Sequence, residues 1–428
     1  MKRTDALYQS FVEILREELV PAMGCTEPIA IAYGAAKARQ VLGQEPEHME
    51  IRCSGNIIKN VKGVVVPNSG GMIGIEAAAA LGALGGDADR ELEVLESVRP
   101  EHITRAQAYI ATGACRVRLV KDVENLYIVT HVEAGGHTAE VTIVNRHTLI
   151  TRIVRDGETI YENEIHETLS DSTDDKALLN VRGILEYADT VDLDTVRPTL
   201  ERQIELNTAI SSEGLEHVYG AQVGRTLLQV YGDNVRTRAR AKPAAGSDAR
   251  MGGCALPVVI NSGSGNQGLT VSLPVVEFAR DLCVSHEKLL RALLVSNLVA
   301  VHLKKYIGSL SAFCGAVSAA CGAGAAITYL YGGGYDDVGS TIVNTLATVG
   351  GIVCDGAKSS CASKIASAVD AAILAHYMGS YNRVFRAGEG LVKEDVEKTI
   401  RSMGYIGRVG MKETDEEILS VMIDEVEV

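Results

Sequence analysis

The sequence contains no tryptophan, and aromatic residues make up only 4% of its 428 residues. A core with so few aromatic rings depends on Ala, Val, Ile and Leu, and the 43 glycines allow neighbouring elements to approach closely. Apolar residues make up 46% and charged residues 22%, a balance that excludes a disordered chain. The length suggests two or three domains.

An excess of positive charge is also lacking. Lys and Arg number 41 against 55 Asp and Glu, so the formal net charge is −14. Binding to the phosphates of a nucleic acid needs a cationic surface. We therefore expect no nucleic-acid partner.

Signals for export or membrane insertion are missing as well. Residues 1–19 carry charges throughout and contain no apolar signal-peptide core. The nine cysteines are an odd number spread over a long chain, which argues against a secreted disulfide framework and favours the cytoplasm. An uncharged stretch from Tyr306 to Tyr335 is long enough to span a bilayer, but it is rich in Gly, Ala, Ser and Cys. We interpret it as a buried helix and expect no membrane partner.

Hydrophobic periodicity separates helical from sheet-forming parts of the chain. Residues 47–164 contain short alternating runs joined by turns, whereas 1–46 and 165–428 carry mostly helical patterns. We predict an α+β fold in which 1–46 and 165–428 form a large helical domain. Residues 47–164 form an inserted α+β domain with an antiparallel sheet. A polar stretch, Ser170–Lys176, marks the predicted boundary.

Two further local patterns predict extended structure. Val61–Val66 is almost continuously apolar, which predicts a strand. Cations alternate at Arg236, Arg238, Arg240 and Lys242, which predicts an extended segment with four charges on one side. A solvated edge explains this pattern better than an anion site does.

The late cysteines suggest a metal site. Cys354 and Cys361 enclose a turn that precedes a predicted helix, where the helix dipole favours thiolates and metal binding. Their spacing fits neither a zinc knuckle nor a compact ferredoxin motif, and a buried structural pair is the competing interpretation. Cys314 and Cys321 lie seven residues apart, so either could complete a set of three thiols. An iron–sulfur cluster held by three cysteines leaves one iron open as a Lewis acid.

Cys25 lies in a tight turn between two predicted helices. Gly24, Pro21 and Pro28 shape this turn, and the second helix begins directly after it. A helix N-terminus would stabilise a thiolate there. A structural thiol, a nucleophile, a base and a ligand all remain open for Cys25.

A glycine-rich loop, Gly263–Gly268, has the G-x-G-x-x-G form of a dinucleotide fingerprint. The helical pattern downstream lacks the alternating strands of a dinucleotide-binding fold. We expect instead a nest of backbone N–H groups that grips a small carboxylate, with side-chain bonds from Ser262, Ser264, Asn266 and Gln267. A purely structural loop is the alternative.

Motifs of other enzyme classes are absent. None of the ten histidines forms a His-x3-His or His-Glu-x2-His pair, and no Gly-x-Ser-x-Gly nucleophile elbow follows a clear strand. The cysteine motifs therefore carry the functional interpretation.

Three motifs together resemble one family. Met23–Pro28, Asn261–Gly268 and Cys354–Cys361 are similar, in order, to motifs of the L-cysteine desulfidase family, a relative of the α-chain of iron–sulfur L-serine dehydratases. The serine enzymes have a longer gap between the loop cysteines and a cysteine near the C-terminus. This sequence has no cysteine after Cys361 and follows the desulfidase pattern.

The resemblance implies a [4Fe–4S] cluster held by Cys321, Cys354 and Cys361, because Ala320-Cys321-Gly resembles the helix that precedes the loop. It also implies Cys25 as the acceptor of the substrate's α-proton. Lys358 or Lys364 is the fallback for that proton.

The implied reaction is β-elimination from L-cysteine to pyruvate, ammonia and sulfide, with a small amino acid as the binding partner. An L-serine dehydratase and a non-catalytic iron–sulfur sensor are the alternatives. We also expect a homo-oligomer, because uncharged Gly- and Ala-rich helices can supply an interface between copies of the chain.

Overall fold

The computed structural model describes residues 6–163, 174–308 and 310–423. It is 60% helical and contains a mixed six-stranded sheet and a small antiparallel sheet, which confirms the predicted α+β class. The expected domain boundary at 164/165 and most of Ser170–Lys176 lie outside the described residues. The division into two domains therefore stays a prediction.

The secondary structure runs in the following order. The helices are α1 (Ala6–Glu18), α2 (Thr26–Leu42), α3 (Gly55–Val61), α4 (Ile75–Gly85), α5 (Pro100–Ala111), α6 (Asp174–Ala177), α7 (Val181–Thr190), α8 (Arg197–Glu216), α9 (Val223–Tyr231), α10 (Val235–Met251), α11 (Gly265–Asp281), α12 (His286–Ile307), α13 (Gly315–Leu330), α14 (Tyr335–Val349), α15 (Cys361–Ser380), α16 (Val396–Tyr405) and α17 (Lys412–Met422). The strands are β1 (Pro21–Met23), β2 (His48–Ser54), β3 (Cys115–Val120), β4 (Tyr127–Ala134), β5 (His137–Val144), β6 (Ile150–Arg155), β7 (Glu158–Glu162) and β8 (Pro257–Val259).

The large sheet has the strand order β3-β2-β4-β5-β6-β7. Strands β4 to β7 form an antiparallel meander, in line with the predicted antiparallel sheet. Strand β2 pairs in parallel with β3, so the sheet is mixed and not purely antiparallel. The small sheet pairs β1 with β8 antiparallel, with Met23 opposite Pro257. This pairing brings the Cys25 turn beside the glycine-rich loop, which follows β8.

Small residues position α2 between the sheet and α4. A Cβ on Gly34 would lie 3.0 Å from Thr130 Oγ1 in β4, and a Cβ on Gly82 of α4 would collide with the carbonyl of Ala32. Glycine thus permits the close approach that the aromatic-poor composition requires. Because α2 starts directly after Cys25, its packing on the sheet fixes where the Cys25 turn lies.

A second core lies among the helices. Side chains of α1, α7, α12, α13 and α15 pack there, and α13 is buried along its length. The uncharged stretch is not one long helix, because α12 ends at Ile307 and α13 begins at Gly315. Within the residues that the structure describes, no helix combines the length and the apolar character needed to cross a membrane.

Two predictions of extended structure are wrong. Val61 ends α3, and the next residues form a turn in which only Val65 makes an isolated bridge, to Ile73. The alternating cations lie on helix α10. There Arg238 and Lys242, one helical turn apart, both pair with the fully buried Glu277. A helix places i and i+4 together, so these cations satisfy a buried carboxylate instead of lining one side of an extended segment.

Candidate active site

One cavity of about 780 Å³ collects most of the candidate residues. The turn at Arg146–Thr148, between β5 and β6, and the segment Arg90–Glu93 line it from the side of the large sheet. The remaining walls come from the Cys25 turn, the glycine-rich loop and the late cysteines. A cavity of this size suits a small ligand.

Four helix N-termini meet at this cavity. Residues in the first turn or at the N-cap of α2, α11, α13 and α15 line it, and none of these four N-caps makes a side-chain capping bond. The positive ends of the helix dipoles therefore lie at the cavity. Such a site favours anionic ligands, including thiolates and carboxylates.

Three late thiols line the cavity: Cys314, Cys354 and Cys361. Burial, followed by the neighbouring Cys354, raises the pKa of Cys314 to about 12. Burial likewise raises the pKa of Cys361, with a further contribution from Cys354. Because each thiolate disfavours ionisation of the next, a bound cation is the natural means of holding all three ionised.

The structure does not bring Cys321 to the cavity. Cys321 is 0% exposed inside the helical core, and its Sγ lies 3.8 Å from the carbonyl of Ile342 on α14. It lies seven residues beyond Cys314, which is about 10 Å along the helix axis. The set of thiols at the cavity thus contains Cys314 in place of the expected Cys321.

The loop between Cys354 and Cys361 is held by charged partners. Asp355 pairs with both Lys358 and Lys364, and these two ammonium groups, against the effect of burial, lower the pKa of Asp355 to about 2. Both amines also bond loop carbonyls, Lys358 that of Gly356 and Lys364 that of Val353. Neither lysine lines the cavity, so their geometry indicates a structural role and not the fallback role in proton transfer.

A buried lysine of α3 connects this loop to the last described helix, α17. Lys59, fully buried on α3, pairs with Asp415 of α17, and its Nζ lies 3.5 Å from the carbonyl of Cys354. Gly356 adopts φ +92°, and a Cβ there would collide with the carbonyl of Lys59. The cysteine loop therefore rests directly on α3.

Cys25 lines the same cavity beside a carboxylate, in a small apolar cluster against which Cys361 packs. It is 2% exposed, and its Sγ donates to Glu27 Oε2 at 2.9 Å. Burial raises the pKa of the Cys25 thiol well above its usual value, and the Glu27 charge raises it further, while Arg250 opposes the shift. The expected helix-terminus stabilisation does not dominate, because burial and Glu27 outweigh it.

Glu27 itself is held ionised. Burial disfavours its charge, yet His147 and the Cys25 thiol together lower the pKa of Glu27 to about 2. The His147 Nε2 atom lies 3.9 Å from Glu27 Oε1 and has no hydrogen-bond partner among the described residues. The Thr26 hydroxyl donates to the carbonyl of Gly263 at 2.8 Å, which ties this turn to the glycine-rich loop.

The predicted loop residues all line the cavity: Ser262, Ser264, Asn266 and Gln267. The Ser262 hydroxyl donates to Asn261 Oδ1 at 2.9 Å, so it also supports the loop. Asn266 Oδ1 and Gln267 Oε1 are buried and find no donor in the described part of the chain. These two amide oxygens are available to a ligand.

Sequence reasoning missed two buried cations in the cavity wall, Arg250 and Lys304. Arg250 is 1% exposed in the last turn of α10, and Lys304 is 7% exposed near the end of α12. Burial lowers the pKa of Lys304. Basic residues near a helix C-terminus are ordinary surface features, so neither position stands out in the sequence.

The three late thiols suit an iron–sulfur cluster by donor type. No group of three or more His, Cys, Asp or Glu side chains among the described residues is arranged to hold a single metal ion. In a cluster each thiolate binds a different iron, so its ligands need not converge on one point. Three thiols on one anion-favouring cavity therefore fit the implied group.

The chain is similar to one protein family and to several bacterial proteins. Residues 89–420 match the family described as the serine dehydratase alpha chain. A UPF0597 protein of Lachnoclostridium phytofermentans is 55% identical over 418 residues, which cover 98% of this chain and 100% of that protein. A UPF0597 protein of Desulfitobacterium hafniense is 51% identical over 425 residues, covering 99% of each chain. One of Treponema denticola is 48% identical over 422 residues, covering 97% and 98%.

Proposed function

Because the chain belongs to the serine dehydratase alpha chain family, a lyase-type family associated with iron–sulfur clusters, we propose that it is an L-cysteine desulfidase. The observation that carries this proposal is the meeting of Cys314, Cys354 and Cys361 at one cavity with the Cys25 turn and the glycine-rich loop. The absence of a cysteine after Cys361 supports a site in which three thiols, not four, hold the cluster.

We propose Cys314, Cys354 and Cys361 as the ligands of a [4Fe–4S] cluster. When bound, the cluster supplies one iron without a protein thiolate, a Lewis acid for the leaving group of the substrate. The four converging helix N-termini offset the negative charge of the thiolates. Asp355 and its two lysine partners hold the loop that carries two of the three.

The proposed reaction breaks the Cα–H and Cβ–S bonds of L-cysteine and forms a Cα–Cβ double bond. The sulfur leaves with the bonding electrons as hydrosulfide, and the α-proton passes to a protein group. The aminoacrylate product takes a proton at Cβ to become an imine, which water hydrolyses to pyruvate and ammonia. Each atom of L-cysteine and one water is thereby accounted for.

Cys25 is our proposed acceptor of the α-proton, since it lines the same cavity as the late thiols and belongs to a small apolar cluster against which Cys361 packs. Its thiol is protonated in this arrangement, so a thiolate must form before it acts as a base. Lys304 is the competing acceptor, because burial favours its neutral amine and it lines the same cavity. This lysine replaces Lys358 and Lys364 as the fallback.

The proposal is tested by reconstituting the full chain without oxygen and measuring iron, acid-labile sulfide, and the sulfide and pyruvate formed from L-cysteine. We expect about four irons per chain and equal yields of sulfide and pyruvate. Protein that incorporates iron and sulfide but releases no sulfide from L-cysteine would contradict the desulfidase activity.

The family description favours a second candidate, an L-serine dehydratase that releases water in place of sulfide. The same preparation separates the two, because kcat/KM for L-serine and for L-cysteine are measured side by side with pyruvate as the common product. We expect L-cysteine to be preferred. A higher kcat/KM for L-serine would assign the chain to the dehydratase activity.

A further inference from the structure

Arg250 is a buried cation with two unpaired nitrogen atoms among the residues that the structure describes. Its Nε and Nη2 atoms find no acceptor in the described part of the chain. Burying an unpaired guanidinium is expensive, and such groups are ordinarily paired with a carboxylate. The unpaired N–H groups at Arg250 Nε and Nη2 can therefore bind an anionic ligand in the cavity that Arg250 lines.

The guanidinium is held in place at the cavity. A Cβ on Gly265, the first residue of α11, would collide with Arg250 Nε, so the side chain lies against the backbone of that helix start. The positive end of α11 and the guanidinium therefore face the same space. A carboxylate is the anion that a planar guanidinium binds with two parallel hydrogen bonds.

Unsatisfied acceptors line the same cavity. Asn266 Oδ1 and Gln267 Oε1 lack donors among the described residues, and Gln267 is 5% exposed. A Cβ on Gly315 would lie 2.7 Å from Gln267 Cδ, so this amide packs against the residue that follows Cys314. Two carbonyl oxygens without donors suit the N–H groups of an ammonium ion.

We propose that Arg250 binds the carboxylate of a free α-amino acid whose ammonium group is held by Asn266 and Gln267. The proposal deepens the proposed function, on which it rests, by naming the residue that selects a free amino acid over an amide, an ester or a peptide. This arrangement also orients the ligand. Its ammonium group lies beside Gln267, which packs against Gly315, the residue that follows Cys314. Arg250 is then a specificity-determining residue.

The test is calorimetric binding of L-alanine and L-alaninamide to the full chain, with and without a reconstituted cluster. L-alanine has no leaving group, so binding is measured without turnover, and the amide differs only in lacking the carboxylate. We expect L-alanine to bind at least about 30-fold more tightly than the amide, as befits a buried charge-assisted contact. Equal affinities, or no binding of L-alanine at millimolar concentration, would overturn the proposal.

Arg250→Gln provides the decisive comparison. We expect it to remove the preference for L-alanine, so that the two affinities become nearly equal, whereas a purely structural residue would weaken both alike. Arg240→Gln is the matched control, because it lies on the same helix but pairs with Asp370 and does not line the cavity. A preserved preference in Arg250→Gln would refute the assignment.

A conservative variant keeps the test valid if Arg250→Gln does not fold. Arg250→Lys retains the charge but loses the planar two-point contact, so we expect a partial loss of the preference. An unchanged preference would again count against the assignment. Binding to protein without a cluster also separates the two proposals. Arg250 can bind L-alanine even if the chain releases no sulfide from L-cysteine, and sulfide release can be observed even if Arg250 does not select the carboxylate.

Discussion

The N-terminal end of α13 and its interior each carry a cysteine, and the two have different surroundings. Cys314 is the N-cap residue and lines the cavity with two further thiols. Cys321, two turns further along the same helix, is enclosed by apolar side chains. The difference teaches that the position of a thiol along a helix decides its chemistry, even when both thiols share a helix face.

Exchanging the two cysteines for serine should give the largest contrast. Cys314→Ser removes a proposed ligand, so we expect iron content and sulfide release from L-cysteine to fall at least about 100-fold. Cys321→Ser adds a hydroxyl to an apolar site and is expected to cost stability while keeping the cluster. Iron analysis and the visible absorbance of reconstituted protein measure the contrast. Loss of iron in Cys321→Ser but not in Cys314→Ser would reverse our ligand assignment.

Cys25 extends the comparison to a thiol that lines the same cavity but is not one of the proposed ligands. We expect Cys25→Ser to retain the cluster absorbance but to lower kcat by about 10²–10⁴, because a hydroxyl is a far weaker proton acceptor. Cys283→Ser, at an exposed cysteine, is the matched control and should leave kcat unchanged. Normal turnover in Cys25→Ser together with loss of turnover in Lys304→Met would identify Lys304, and not Cys25, as the acceptor of the α-proton.

The Glu27 carboxylate should set the pH at which Cys25 becomes active. Its negative charge raises the pKa of the thiol, so Glu27→Gln should lower that pKa. If thiolate is the base, kcat rises with pH as the thiol ionises, and the rising limb should move to lower pH in Glu27→Gln. The pH profile of kcat, measured for both proteins, checks this. A limb that moves to higher pH would contradict the role of Cys25.

The smallest expected effect concerns the loop between Cys354 and Cys361. Lys364→Met removes one of the two cations that bind Asp355, and we expect cluster loss in air to become about 2–5-fold faster, which corresponds to roughly 0.4–1 kcal/mol for a partly exposed ion pair. Lys398→Met, at an exposed pair on α16, is the control. The effect is measured as the rate at which the visible absorbance of the reconstituted cluster decays in air, in each variant. An equal decay rate in both variants would show that the pair does not hold the loop.

Local patterns in the sequence predicted several parts of this molecule. The alternating runs predicted strands within residues 47–164. The turn chemistry placed Cys25, Cys354, Cys361 and the glycine-rich loop among the candidates that line one cavity. Such features depend on a few neighbouring residues. They are therefore visible in the sequence.

Features that depend on tertiary packing were not predictable in this way. Cys314 and Cys321 have the same helical phase, and only the start of α13 at Gly315 decides which one reaches the cavity. Arg250 has the sequence context of a surface helix end, and its burial follows from α10 packing against α11. The cations on α10 alternate in sequence, but the buried Glu277 that pairs with two of them lies far away in the chain.

The Lys59–Asp415 pair has a practical consequence for handling the protein. The pair connects α17, the last described helix, to Lys59 of α3, which also contacts the carbonyl of Cys354. A displacement of α17 would therefore also shift the loop between Cys354 and Cys361. A purification handle fused downstream of α17 would act on this attachment. An N-terminal handle is therefore the better choice for preparing protein in which the proposed cluster is to be measured.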